Sequence, residues 1–258
     1  LSNIFKYYNP GLVTEMCVFH NFNLKIDDGE FVSVVGSNGS GKTTLLNIIC
    51  GSIDIDHGKI LMDNEEISKV PEYKRMYRIG RVYQNPGLGT CPSMNIIENL
   101  ALAENKNKAF GLTRLIDKAK LDYYREELKK LGLGLEDKIY VPVGSLSGGQ
   151  RQAISLLMTT MSEINFLILD EHTAALDPKT ARKVLELTEE FIKRDRLTAF
   201  MVTHNMKDAI RYGNRLIMMM DGKVVYDVRG EEKSKLTVED LLAKFSVAGE
   251  VNDKMVLS

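Results

Sequence analysis

The stretch Gly36-Ser37-Asn38-Gly39-Ser40-Gly41-Lys42-Thr43-Thr44 constrains the fold of this chain more than any other segment. It follows the apolar run Phe31-Val32-Ser33-Val34-Val35 and opens the apolar-rich segment Leu45-Leu46-Asn47-Ile48-Ile49. Strand, glycine turn, helix is the order that a phosphate-cradling loop needs. Glycines at 36, 39 and 41 permit backbone angles closed to other residues, so amide N–H groups can converge on an anion. A helix starting near Gly41 adds the positive end of its dipole. Lys42 is then placed to reach the β- and γ-phosphates, and the Thr43 hydroxyl to ligate Mg²⁺. A chance glycine turn would not come with both flanking elements. The chain is expected to bind a nucleoside triphosphate.

Short β-type runs alternate with helical stretches through the rest of the chain, which predicts a largely parallel, doubly wound α/β sheet. Candidate strands are Phe31–Val35, Phe166–Leu169, Ala199–Thr203, Arg215–Met220 and Lys223–Asp227, the last two joined by the hairpin dipeptide Asp221-Gly222. Pro178–Arg194 reads as an amphipathic helix with Asp177 as its cap and Pro178 in its first position. From about Ser93 to Met161 strand alternation gives way to helical spacing, as in Leu112–Ala119 and Tyr123–Leu131, so a helical insertion is expected there. After Gly230 the chain turns polar, then shows a short helical pattern over Val238–Phe245. Because the sequence opens without Met, a few residues are expected to precede Leu1.

With 258 residues, 44% hydrophobic and 27% charged, the chain can bury a large core. A formal charge of -1 argues against a broad nucleic-acid surface, and no nucleic-acid partner is expected. Cys17, Cys50 and Cys91 are scattered and odd in number, which fits a reduced compartment and packing roles. No apolar run approaches the ~20 residues needed to span a bilayer.

Two further segments carry chemistry. In Leu146-Ser147-Gly148-Gly149-Gln150-Arg151, Ser147 is placed as an N-cap and the glycines leave amide N–H groups open, a second helix tip suited to phosphate. Since Lys42 already marks one γ-phosphate cradle, this second one is expected to serve a nucleotide held by a partner copy. In Phe166-Leu167-Ile168-Leu169-Asp170-Glu171, a buried strand ends in two carboxylates, at the sheet edge where ligands sit in α/β folds. Asp170 suits Mg²⁺, and Glu171 can polarise an attacking water. The sheet is expected to bring both to the edge that carries Lys42.

With these motifs in this order, the chain resembles the stand-alone nucleotide-binding subunit of a bacterial ATP-binding cassette (ABC) transporter, from about Leu1 to Phe245. The resemblance implies a RecA-like P-loop NTPase core with a parallel sheet, an N-terminal antiparallel β-subdomain and an inserted α-helical subdomain. The core would occupy 1–92 and 162–230, the helical subdomain 93–161 and a tail 231–258. It assigns roles to Gln84 as the residue sensing Mg²⁺ and γ-phosphate, and to His204 as the γ-phosphate switch. Asp177 would cross a dimer interface, and Tyr8 would stack on adenine, with Phe5, Tyr7 and Phe19 as rivals. His20 and His57 are read as structural or surface residues. His172 stands where the family commonly has Pro, and is read as a neutral loop substitution.

The implied activity is ATP hydrolysis with ATP and Mg²⁺. The implied partners are a second copy in head-to-tail arrangement, transmembrane permease subunits and a solute-binding protein, at the cytoplasmic face of a membrane. Import of a small organic solute is the direction implied, an amino acid being one candidate cargo. A soluble ABC protein acting on nucleic acid or ribosomes would favour tandem cassettes or a basic surface. An ATP-gated assembly module would be expected to lack Glu171 or His204.

Overall fold

In the computed structural model, which describes residues 1–106 and 115–256, the apolar run before the glycine loop is a strand buried along its length up to Gly36. Burial on both faces is what a parallel strand between covering layers requires. The chain divides into two units, one made of residues 1–76 and 198–258, the other of 77–197.

The first unit opens with β1 (Ser2–Tyr8), β2 (Met16–Phe22), β3 (Phe31–Gly36), α1 (Lys42–Cys50), β4 (His57–Lys59), the short pair β5 (Leu61–Met62) and β6 (Glu65–Glu66), and α2 (Glu72–Arg75). β1 pairs antiparallel with β2 and with β4, which forms the expected N-terminal antiparallel layer. Gly51 ends α1 in a left-handed conformation, and the buried Arg75 donates to Ile48 O at 2.7 Å and Ile49 O at 3.1 Å, a cation on the helix's negative end.

The second unit holds β7 (Ile79–Val82), α3 (Ile96–Glu104), α4 (Leu121–Lys130), α5 (Gly148–Thr160), β8 (Phe166–Asp170) and α6 (Pro178–Asp195). β7 and β8 run parallel, with Arg81 opposite Ile168 and Val82 opposite Leu169. The helical insertion expected over 93–161 falls inside this unit. One element differs from expectation. Residues 115–117 form no helix and Lys118–Lys120 is a 3-10 turn capped by Asp117, so the α-helix starts at Leu121. The Asp117 side chain takes the Ala119 N–H at 3.0 Å, which favours a turn over helix continuation. The remainder of the predicted helix, 112–114, lies outside the described residues.

The chain then returns to the first unit with β9 (Thr198–Val202), α7 (Met206–Arg211), β10 (Arg215–Met220), β11 (Lys223–Arg229), α8 (Gly230–Ser234) and α9 (Val238–Val256). β10 and β9 flank β3 in parallel, and β11 closes the edge antiparallel to β10. Asp221 and Gly222 both have positive φ, 46° and 69°, as a tight hairpin turn demands. Val35, Ala209, Leu216, Met218, Val228 and Leu241 pack as a core cluster of this unit. Helix α9 outruns the predicted Val238–Phe245. The cysteines also differ from expectation: Cys50 is buried in α1, but Cys17 and Cys91 are exposed, since Cys17 lies at the exposed start of edge strand β2 and Cys91 in a loop.

Candidate functional site

In the first unit, β3 delivers the glycine loop and α1 leaves it. A Cβ on Gly36 would lie 2.4 Å from Met219 O and 2.7 Å from Ser40 Oγ, so no side chain fits there. Gly39 and Gly41 have φ of 81° and 95°, and a Cβ on Gly41 would press the Phe19 ring at 3.0 Å. Ser37, Asn38 and Gly39 form the exposed crest, whereas Ser40 is buried. Lys42 is buried at 6% exposure, and its ammonium donates to Gly36 O and Ser37 O at 2.8 Å each and to Ser40 Oγ at 3.3 Å. The loop's own oxygens thus hold the cation inside the cradle. Thr43 is exposed on the first turn of α1, and Thr44 Oγ1 lies 3.4 Å from the Tyr8 hydroxyl.

Tyr8's rivals have other company. Phe19 is fully buried under Gly41 and packs on Phe22 with ring centroids 4.7 Å apart. Phe5 sits edge-on to His20 and His57 at 5.0 and 6.1 Å. Tyr7 lies on the same strand, its amide donating to Asp56 Oδ2 at 2.7 Å. His204 is exposed just past β9, where Thr203 N donates to Val34 O at 3.1 Å. The β3–β9 register therefore sets His204 at the same carboxyl end as Gly36. Asn205 follows it and caps α7, accepting from Lys207 N and Asp208 N.

In the second unit, Gln84 is exposed two residues past the end of β7, and Asp170 ends the adjacent β8, so both stand at the carboxyl ends of neighbouring parallel strands. Asn85 caps the 3-10 turn Pro86–Leu88 through Gly87 N at 2.9 Å. Gln152 of α5, 1% exposed, donates to Tyr83 O at 3.0 Å and so fastens the strand's exit to the helix behind it. Ser147 is the N-cap of α5 in a reciprocal capping box: its Oγ accepts from Gln150 N, and Gln150 Oε1 accepts from Ser147 N, both at 3.3 Å. Ser147 is exposed, Gly148 half-buried and Gly149 buried, where a Cβ would meet Thr180 Cγ2 at 1.9 Å. Gly149 is therefore demanded by helix packing as well as by any ligand.

Glu171 takes a left-handed backbone conformation, φ 47°, which costs a non-glycine residue about 1–2 kcal/mol. Asp177 caps α6, accepting from Thr180 N at 3.1 Å, and hydrogen bonds from Thr180 hold its carboxyl below the usual carboxylate range.

Three residues that sequence reasoning left aside or misjudged belong to this half. His172, read as a neutral loop substitution, stands in the turn after β8 but is only 2% exposed, and its Nε2 lies 3.2 Å from Thr188 Oγ1 in α6. The Thr188 hydroxyl gives its proton to Val184 O at 2.8 Å, so His172 Nε2 must be the donor. Burial pushes the imidazole pKa down to about 4, which keeps it neutral. Arg81 places its guanidinium 2.6 Å from Asp170 Oδ2. Its signal was a charge in the middle of an apolar strand, Ile79-Gly80-Arg81-Val82. Gln152 gave no comparable signal, since a glutamine on a helix is ordinary.

Phosphate cradle, carboxylate-ending strand and capped serine-glycine helix are thus each formed as the motifs require, and the ABC transporter family matches residues 19–174. The chain belongs to the ABC transporter family. It is an ATP-binding cassette and an ATPase. It is 48% identical over 231 residues to a tyrosine transport ATP-binding protein of Clostridioides difficile, covering 90% of this chain and 92% of that one. A phosphonates import ATP-binding protein of Lactococcus lactis is 33% identical, with 86% and 91% covered. The cassette superposes with a TM-score of 0.74 on an ATP-binding cassette solved as a dimer in a post-hydrolysis state with ADP and Pi, 30% identical, covering 89% of this chain and 97% of that one.

The donors available for Mg²⁺, the Thr43 hydroxyl, the Gln84 amide oxygen and the Asp170 carboxylate, are the hard oxygens that this ion takes. Asp170 already faces a cation in the guanidinium of Arg81, so its carboxylate is directed at positive charge. Among the described residues no cluster of three or more His, Cys, Asp or Glu forms a separate metal cage. By donor type alone, each of these side chains suits Mg²⁺.

Proposed function

We propose that this cassette powers import of a small organic solute, an aromatic amino acid such as tyrosine being the favoured cargo, through separate permease subunits. The observation that carries the reading is the 48% identity, over nine-tenths of the chain, to the tyrosine transport ATP-binding protein. In this reading two copies pair head to tail. Each ATP is held by Lys42 and the loop 36–44 of one copy, with Tyr8 against adenine, and by Ser147 and the N–H groups of Gly148, Gly149 and Gln150 of the other. Asp177 lies at the seam between copies.

Hydrolysis is a phosphoryl transfer to water. Glu171 accepts the proton as the water oxygen bonds to the γ-phosphorus and the bond to the β–γ bridging oxygen breaks, leaving ADP and phosphate. Lys42 and His204 counter charge on the γ-phosphoryl oxygens. Thr43, Gln84 and Asp170 would hold Mg²⁺, which would supply further charge neutralisation. The left-handed backbone at Glu171 supports a functional reading, since an unfavoured conformation there keeps a carboxylate where an easier residue would do.

Permease docking would use the helical segment 93–161 and the turn after Gln84, where Leu88 is 69% exposed. The membrane spans belong to the permease on this reading, and no described helix is long and apolar enough to cross a bilayer. The bound solute-binding protein would lie beyond the permease.

Glu171→Gln tests the mechanism. Turnover should fall by about 10²–10⁴-fold, while ATP drives the variant into a dimer seen by light scattering. Wild-type turnover would refute the base, and a strictly monomeric variant with bound ATP would refute the shared site.

A further inference from the structure

Arg81 sits in β7 with its side chain 9% exposed, and Asp170 ends β8 at 19%. The parallel register places Arg81 opposite Ile168, two residues before Asp170 on the same face. Gly80 faces the other way, where a Cβ would press Thr159 and Ile164. The guanidinium Nη2 donates to Asp170 Oδ2 at 2.6 Å, a short charge-assisted bond. The same guanidinium lies over the Tyr83 ring, 4.8 Å from its centroid, one residue before Gln84. One cation therefore spans the metal-seeking carboxylate and the root of the loop that carries Gln84.

A part-buried ion pair is a poor device for stability, because desolvation offsets much of the attraction and an apolar residue would suit an apolar strand. Its effect on a second cation is another matter. A dication approaching Asp170 meets an oxygen already engaged and a like charge at close range. Resting on the reading of Asp170 as a Mg²⁺ carboxylate, we propose that Arg81 is a resident competitor for Mg²⁺. Its guanidinium occupies Asp170 in the unloaded cassette and must yield that oxygen when metal and nucleotide arrive. Cation exchange at Asp170 sets the metal concentration at which the site loads. Because Tyr83 retains its hold on the guanidinium, the displaced charge stays beside the Gln84 loop, where loading is felt.

Mn²⁺ serves as the probe, its binding to the full chain read by loss of the free-ion EPR signal in the presence of a non-hydrolysable ATP analogue. Arg81→Met should bind Mn²⁺ more tightly than wild type by about tenfold or more, and Arg81→Lys, which keeps the charge, should stay near wild type. The Met variant should melt lower than wild type without metal and gain more in Tm when Mn²⁺ is added, since the ion replaces the missing cation. Arg81→Gln reports the same quantity should Met not fold. Affinity unchanged or weaker in both neutral variants would overturn the competitor role and make Arg81 a support for the carboxylate. Asp170→Asn separates the two readings: it should weaken Mn²⁺ binding, and an unaltered affinity there would sink the metal role of Asp170 and the present inference together.

Discussion

His172 was legible as a departure from a familiar pattern but not as a buried anchor. Nothing in Asp170-Glu171-His172 discloses that the imidazole reaches Thr188, because helix α6 begins only six residues later and its inward face is set by packing. The consequence is a pH dependence whose sign can be worked out. The folded pKa, about 4, lies below the ordinary 6.5, so the unfolded chain takes the proton first as pH falls. Stability from this group is complete above pH 6.5 and is lost as pH falls towards 4. Between pH 7 and 5 the loss should be about 2 kcal/mol. His172→Gln keeps a donor for Thr188 without titrating, so urea midpoints at the two pH values should fall further for wild type than for the variant. Equal falls would show that the imidazole is not held neutral. Arg81 was half legible: a charge inside an apolar strand announces a partner, but its partner stands 89 positions away and only strand pairing finds it.

At the scale of elements, sequence reading located strands and helices well where function dictates residue types. The glycine loop, the serine-capped α5 and the Asp177-capped α6 were all legible because caps and phosphate turns admit few substitutes. It failed at 115–119, where apolar spacing suggested a helix and a local Asp117 turn prevailed. It also read Gly149 only as an open amide. Contact with Thr180 gives a prediction about how α5 sits on α6. Gly149→Ala should destabilise by about 1–3 kcal/mol through overpacking, and Thr180→Ser, which removes the offending methyl yet leaves the Asp177 cap on the Thr180 amide intact, should recover most of it in the double variant. Chemical denaturation of the four proteins closes the cycle, and additive losses would disprove the contact.

Over the molecule as a whole, class and family were legible because three motifs of restricted residue types stand in one order along the chain. Exposure was not, since it depends on which face of an edge strand or loop meets solvent. The three cysteines make a simple check. Cys17 and Cys91 should react quickly with a thiol reagent in the native protein, and Cys50, in the core of α1, only on unfolding. One fast thiol, or three, would contradict the placement of these segments.

β10 and the hairpin turn after it each touch the glycine loop: Gly222 N donates to Ser40 O at 3.2 Å, and Met219 O at the end of β10 leaves Gly36 no room for a side chain. The crest is thus flanked on both sides by contacts from the strand paired with β3 and from the turn that follows it. Its curvature was settled when the protein folded, and an arriving anion has little left to organise. A loosened turn, by any change at Gly222, should be felt first as a slower and weaker welcome for nucleotide, well before the strands themselves give way.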